Sequence, residues 1–259
     1  MSKSKELKVA IEAARAGGKE AMKYFGKLKH IKFKSKNLGY VTEADFASQE
    51  RIKQVILKSF PNAKFLAEED KDQGPVSGKV WVIDPIDGTQ NFIKGIKLFA
   101  MSIGLLDDGV PVLGVVLNPA YDELFYAEKG KGAFLNGQPI RVSNVSKMED
   151  GIFDVGLPKR DDTRKQNYSL FKKLQVSMGG YRAFGTASLQ FCFVASGLIE
   201  TFIEFGLYPW DSAGGIPILE EAGGKITDEK GQRFNVLKRG IMVASNGKLH
   251  KSIIKELAK

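Results

Sequence analysis

The chain has 259 residues, 43% hydrophobic and 27% charged, enough to bury a substantial core in one large domain or two closely packed halves. No apolar run is long enough to span a bilayer, Met1-Ser2-Lys3-Ser4-Lys5-Glu6 leads into no secretory h-region, and the single cysteine, Cys192, excludes an intramolecular disulfide framework. The expected compartment is the cytoplasm. The net charge of +9 is concentrated at the amino end, where residues 1–36 carry 11 Lys or Arg against 3 acids. Such a region attracts anions, whether phosphorylated substrates, nucleic acid or membrane surfaces. The simpler reading is a solvated helix face, because no aromatic residues alternate with the lysines as base stacking requires.

In chain order, Leu7, Ile11, Ala14, Gly18, Ala21 and Phe25 recur at helical spacing and predict an amphipathic helix over 5–25. A short strand, Ile31–Lys34, follows, then a helix over Thr42–Lys58 and a strand over Ala63–Ala67 that ends at Glu68 and Glu69. Lys71–Gly78 is polar with Gly and Pro and reads as a surface loop. Val80-Trp81-Val82-Ile83 is a nearly continuous apolar run, the pattern of a strand buried on both faces. It is expected to stop at Asp84. Further strands are predicted at Ala100–Leu106, Val112–Asn118 and Leu124–Glu128.

The second half alternates. Helices are predicted at Gln166–Met178, Ala187–Ser196, Ser212–Ala222 and Lys248–Leu257, with strands at Thr201–Phe205 and Gly240–Ala244. Gly223-Gly224 closes the third of these helices. Cys192 lies in an apolar run and reads as a small core residue. The organisation expected is one domain over 1–259, with an α+β half to about residue 145 and an α/β half after it.

Glu68, Glu69, Asp84, Asp87 and Asp211 stand where predicted buried elements begin or end. Hard divalent cations take oxygen ligands, and Mg²⁺ takes a few carboxylates plus waters and phosphate oxygens. No His/Cys cluster suits zinc. The two histidines, His30 and His250, lie among lysines and read as surface residues, which argues against a histidine-based hydrolase. Pro85 stiffens the turn after the strand, leaving Asp84 and Asp87 able to face one space. Gly88 permits close backbone approach, and Thr89 adds a hydroxyl and an amide. Such a turn can bind metal and phosphate, although Asp-Gly is also a plain turn signal. Asp211 is equally a favoured helix N-cap.

Trp81-Val82-Ile83-Asp84-Pro85-Ile86-Asp87-Gly88-Thr89-Gln90-Asn91-Phe92 closely resembles the first signature of the inositol monophosphatase family, and Trp210-Asp211-Ser212-Ala213-Gly214-Gly215 resembles the second. Val41-Thr42-Glu43-Ala44-Asp45, Glu68-Glu69, Gly130-Lys131-Gly132-Ala133, Asn136-Gly137 and Gly185-Thr186-Ala187 match in the family's order. The resemblance implies a layered α/β/α/β/α sandwich, shared with fructose-1,6-bisphosphatases, that forms homodimers. It implies Mg²⁺, two or three ions: Glu68, Asp84 and the Ile86 carbonyl at the first, and Asp84, Asp87 and Asp211 at the second. Thr89 with Glu68 is expected to orient the attacking water, the amides of Gly88 and Thr89 to bind phosphate, and Glu69 to stand nearby. Glu204 is expected to contact substrate hydroxyls, with Ala187 and Asp211 also on the substrate side. On this reading the Asp87 carboxylate brings no structural benefit, and Asp87→Asn is expected to leave the fold intact.

Some residues depart from the family pattern. Ala67 precedes Glu68 where glycine is usual, Gln90 replaces threonine or lysine, and Gly39 stands where many members carry an acid that helps a mobile loop hold a third metal. Lys34 aligns with that loop's usual lysine, and Asn37 is a substitute ligand. The first expected substrate is inositol 1-phosphate. Fructose 1,6-bisphosphate, histidinol phosphate and NADP are the other substrates the family implies, and Asn91-Phe92 speaks against the 3′-nucleotidase branch. A regulatory partnership with RNA polymerase, as in a bacterial relative, is the non-enzymatic alternative. No membrane partner is expected.

Overall fold

The computed structural model describes residues 3–35, 39–71, 76–156 and 163–259. Helix α1 (Lys5–Met22) starts at Ser4, whose hydroxyl accepts the Leu7 amide. A two-stranded hairpin, β1 (Ile31–Ser35) and β2 (Gly39–Thr42), leads into α2 (Glu43–Ser59). Thr42 and Asp45 form a capping box at the start of α2: the Thr42 amide donates to Asp45 Oδ2 at 2.8 Å and the Ala44 amide to the Thr42 hydroxyl at 3.2 Å. Next come β3 (Lys64–Ala67), β4 (Lys79–Asp87), the short α3 (Thr89–Ile93), β5 (Ala100–Asp107), β6 (Val110–Asn118), β7 (Glu123–Glu128), β8 (Ala133–Leu135) and β9 (Gln138–Pro139). Strands β3 to β9 form a seven-stranded sheet in sequence order, with β3 parallel to β4 and the other pairs antiparallel.

The rest of the chain gives β10 (Ile152–Val155), α4 (Arg164–Leu174), β11 (Gly180–Arg182), α5 (Ala187–Ala195), β12 (Thr201–Phe205), α6 (Pro209–Ser212), α7 (Gly215–Glu221), β13 (Lys225–Thr227), β14 (Ile241–Ser245) and α8 (His250–Leu257). Its five-stranded sheet runs β11-β10-β12-β14-β13 and is mixed. The layers stack as expected. Helices α1 and α2 cover one face of the larger sheet, α5 and α7 lie between the sheets, and α4 and α8 cover the outer face of the smaller one. Every residue of α5 is buried, which explains its apolar character all round.

Several sequence expectations need correction. β4 does not stop at Asp84 but runs on to Asp87. The predicted helix Ser212–Ala222 is two pieces, α6 and α7, broken at Ala213-Gly214, where the chain lies against the backbone of β5 and β6: a Cβ on Gly104 would strike Ala213, and one on Gly114 would strike Gly214. His250 is not a surface residue: it is 2% exposed, with ring nitrogens 2.8 Å from the hydroxyls of Thr227 and Ser245. Strands β2, β8 to β11 and β13 were too short to show a period. Part of the predicted loop Lys71–Gly78 lies outside the described residues.

Candidate active site

A cavity of about 380 Å³ opens between the two sheets, lined by residues of β4, α5, β12 and α6 among others. Asp84 and Asp87 are an odd number of positions apart, so a regular strand would point them to opposite faces. The ladder avoids this. Asp84 pairs with Ser102 and Asp87 with Ala100, so β4 carries one more residue than β5 over this interval. That bulge turns both carboxylates to the cavity. Asp84 Oδ1 also accepts the Ile86 amide at 3.0 Å.

Gly88 follows at φ 89°, a left-handed conformation that suits glycine. A Cβ there would also lie 3.1 Å from the Leu98 carbonyl oxygen and 3.2 Å from Thr186 Cβ. The Gly88 and Thr89 amides open α3, where helical N–H groups have no intrahelical acceptor. The Thr89 hydroxyl donates to the Ile86 carbonyl at 3.1 Å and lies 3.4 Å from Asp45 Oδ1. Thr89 is thus held by Asp45, a residue whose role the sequence reading missed although it lies in a quoted motif. Burial pushes the Asp45 carboxyl up to about 7, against the Thr42 hydrogen bonds.

At the end of β3, Glu68 and Glu69 both meet Lys34, whose ammonium lies 2.9 Å from Glu68 Oε1 and 2.6 Å from Glu69 Oε1. Burial disfavours that ammonium, but the two acids raise its pKa above the usual value. Asp211 is not the N-cap of a long helix. It is the third residue of α6 and accepts the Tyr208 amide at 2.8 Å. Glu204 on β12, Asp211 and Ala187 line the cavity, as do Glu68, Ile86, Gly88 and Thr89. Gly39 lines it too, whereas Asn37 lies outside the described residues.

Asp87 departs most from expectation. Its Oδ2 accepts the Thr186 hydroxyl at 2.6 Å, the Ser188 amide at 2.7 Å and the Ser188 hydroxyl, and its Oδ1 accepts the Ala187 amide at 3.2 Å. It therefore caps the first turn of α5 from another sheet. The view that it brings no structural benefit is wrong.

The acids perturb one another. Burial pushes Glu68 up to about 7, with Glu69 and Asp211 adding repulsion. Burial also raises Asp84 well above the carboxylate range, helped by Glu68, Asp87 and Asp211. Asp87 rises to about 6 through burial, against its hydroxyl partners. Among the described residues no three acid, imidazole or thiol groups stand close enough together to hold one ion; Glu68 is paired with Lys34 and Asp87 with the start of α5. The donor chemistry nevertheless fits a hard divalent cation. Six acids line the cavity, of which Glu68, Asp84 and Asp87 are made costlier to ionise by the acids beside them, Asp211 included, and no histidine or cysteine is among its described lining residues.

The model of the inositol monophosphatase family matches residues 2–259. The chain belongs to the inositol monophosphatase family. It is 38% identical over 252 residues to the fructose-1,6-bisphosphatase/inositol-1-monophosphatase of Aquifex aeolicus, covering 96% of this chain and 94% of that protein. It is 37% identical to the Nus factor SuhB of Pseudomonas aeruginosa, covering 96% and 94%. The crystal structure of the extragenic suppressor protein suhB from Bartonella henselae superposes with a TM-score of 0.91 at 34% identity, over 99% of both chains. The α/β fold and the phosphomonoesterase class of this inositol monophosphatase family member follow. No helix among the described residues is long and apolar enough to cross a membrane.

Proposed function

We propose that this phosphatase hydrolyses the phosphate monoester of a small polyol, with inositol 1-phosphate as the first substrate, in the presence of two or three Mg²⁺ ions. The observation that carries the reading is the convergence of Glu68, Asp84, Asp87 and Asp211 on one cavity whose wall also holds Glu204. Glu68, Asp84 and the Ile86 carbonyl would hold one ion, and Asp84, Asp87 and Asp211 a second. Such ions supply charge stabilisation for the phosphoryl oxygens and a more acidic bound water.

The chain's own residues do the rest. The amides of Gly88 and Thr89 bind phosphate oxygens at the start of α3. The Thr89 hydroxyl, held by Ile86 and Asp45, orients the attacking water together with Glu68. Glu68 must turn from Lys34 to do so, and Glu69 keeps the ammonium nearby. Glu204 accepts hydrogen bonds from the leaving group's hydroxyls, with Ala187 beside it. Positioning and charge supply the catalysis, as expected for phosphoryl transfer.

Release of inorganic phosphate from a panel of monoesters, with and without Mg²⁺, tests the reading. Inositol 1-phosphate should be turned over well only with the metal. A clear preference for fructose 1,6-bisphosphate, histidinol phosphate or NADP would replace the polyol monoester. The name of the Pseudomonas relative motivates a second assay, co-purification with RNA polymerase.

A further inference from the structure

The wall of the cavity holds one more acid, Asp154 of β10. Parallel pairing sets Asp154 opposite Phe202 and Val155 opposite Ile203, and the Gly156 amide donates to the Ile203 carbonyl at 2.8 Å. Alternation along the strands therefore puts Asp154, Gly156, Phe202 and Glu204 on one face of the smaller sheet. That face looks toward the middle helices, since Phe202 meets Phe191 of α5 edge-on with ring centroids 5.2 Å apart. Gly156 leaves the room Glu204 needs, because a Cβ there would collide with the Glu204 carboxylate. Asp154 and Glu204 thus lie diagonally on one face, with Gly156 and Phe202 at the other two corners, and both line the cavity.

Asp154 is 0% exposed. Its Oδ2 accepts the Phe184 amide at 3.4 Å, and the Gln190 side chain hydrogen-bonds the carboxyl. Among the described residues its Oδ1 has no hydrogen-bond partner. Buried acceptors without donors are rare in native proteins, and because Asp154 lines the cavity, a ligand held there can supply the missing donor. Burial raises the carboxyl to about 7, more than Gln190 and Phe184 lower it, as expected of an acid one donor short.

Building on the proposed phosphatase reading, we infer that Asp154 is a specificity-determining residue, whose Oδ1 accepts a hydrogen bond from a second hydroxyl of the leaving group beside the one held by Glu204. The substrate class is then the phosphate ester of a polyhydroxy alcohol presenting two hydroxyls to this wall. A leaving group without hydroxyls would leave the acceptor unpaired, and one bearing another phosphate would be repelled by both acids.

Asp154→Asn tests this. It keeps the shape and an acceptor for the Phe184 amide, and turns the Oδ1 position into a donor. The expected result is a fall in kcat/KM for inositol 1-phosphate of about tenfold or more, the scale of one hydrogen bond to a charged acceptor, carried mainly by KM. Hydrolysis of 4-nitrophenyl phosphate, which lacks the hydroxyls, should stay within about twofold, because no contact with it is altered. Equal losses on both substrates would make Asp154 a support for the Phe184 segment, and no loss on either would leave it without a role; each overturns the inference. A larger loss on an amino-alcohol phosphate than on inositol 1-phosphate would put an ammonium where we place the hydroxyl and overturn the polyol assignment. If the asparagine variant does not fold, Asp154→Ser, which removes volume, replaces it in the same comparison. Failure of the unaltered protein on every polyol phosphate, with aryl phosphate still cleaved, would instead sink the broader substrate reading.

Discussion

The Asp87 carboxylate accepts the Ser188 amide at 2.7 Å across 101 positions of sequence, tying β4 of one sheet to the start of the middle helix α5. The residue proposed to hold a metal therefore also caps a helix. Its two tasks separate by substitution. Asp87→Asn keeps an oxygen for Ser188 and Thr186 and should stay within about 1 kcal/mol of the parent in stability, close to a single hydrogen bond. Its activity should fall by about 100-fold or more, the scale of losing one preorganised charge. Asp87→Ala strips every donor of its partner and should cost about 2–4 kcal/mol even in a chelator. Urea unfolding of both variants without metal decides: an alanine variant as stable as the parent would remove the capping role.

A second prediction concerns Glu204, 6% exposed in the cavity wall. Glu204→Ala should cost about 1.5–3 kcal/mol in transition-state stabilisation on inositol 1-phosphate, the range for a charged acceptor, and little on an aryl phosphate. Gly156→Ala should reproduce that selectivity without replacing the acid, because its new methyl displaces the Glu204 carboxylate. Paired kinetics on the two esters would show it. Equal losses on both esters would place Glu204 in the scaffold or the chemistry instead of in substrate choice.

Much of this architecture could be read from the sequence where burial left a pattern. The apolar run of β4 and the all-round apolar α5 announced a sheet and a helix covered on both sides, and the acids at element ends marked the site. The misses have physical reasons. β10 is Ile-Phe-Asp-Val, four residues with a charge inside, so neither its strand nor the buried Asp154 stood out. The bulge that brings Asp84 and Asp87 together exists only in the pairing with β5. The capping role of Asp87 depends on a residue 101 positions away. His250 was misread from its lysine neighbours, although the spacing of His250, Ile253 and Leu257, the buried face of α8, was available as a signal.

Gly39 supports a third prediction, on metal dependence. It lines the cavity at φ 71°, and a Cβ there would meet nothing within 4 Å among the described residues. Gly39→Asp therefore has room, at a backbone cost of about 1 kcal/mol for an L-residue in the left-handed region, where aspartate is among the better tolerated. If the hairpin contributes to metal binding, an added carboxylate should lower the Mg²⁺ concentration for half-maximal activity. An unchanged Mg²⁺ titration in a folded variant would show that the hairpin takes no part in it.

The fourth prediction is a pH dependence of stability that originates away from the cavity. Burial holds the His250 imidazole at about 4, below its usual 6.5, and the Lys225 ammonium adds to the effect. The folded protein keeps the ring neutral, bridging the Thr227 and Ser245 hydroxyls. A depressed histidine pKa contributes stability that is fully present above about pH 6.5 and is lost as pH falls toward 4, because the unfolded chain takes up the proton first. The span corresponds to at most about 3 kcal/mol. The raised carboxyls of Asp45, Asp84 and Asp154 act in the opposite sense, favouring the folded state as they protonate, so the total curve mixes both. Comparison with His250→Gln isolates the histidine. Glutamine offers a donor and an acceptor to the same two hydroxyls and does not titrate. The parent should lose stability relative to this variant between pH 6.5 and 4, while the difference stays constant from pH 7 to 9. Urea unfolding across that range measures it, and parallel curves down to pH 4 would mean that the buried imidazole accepts its proton without cost.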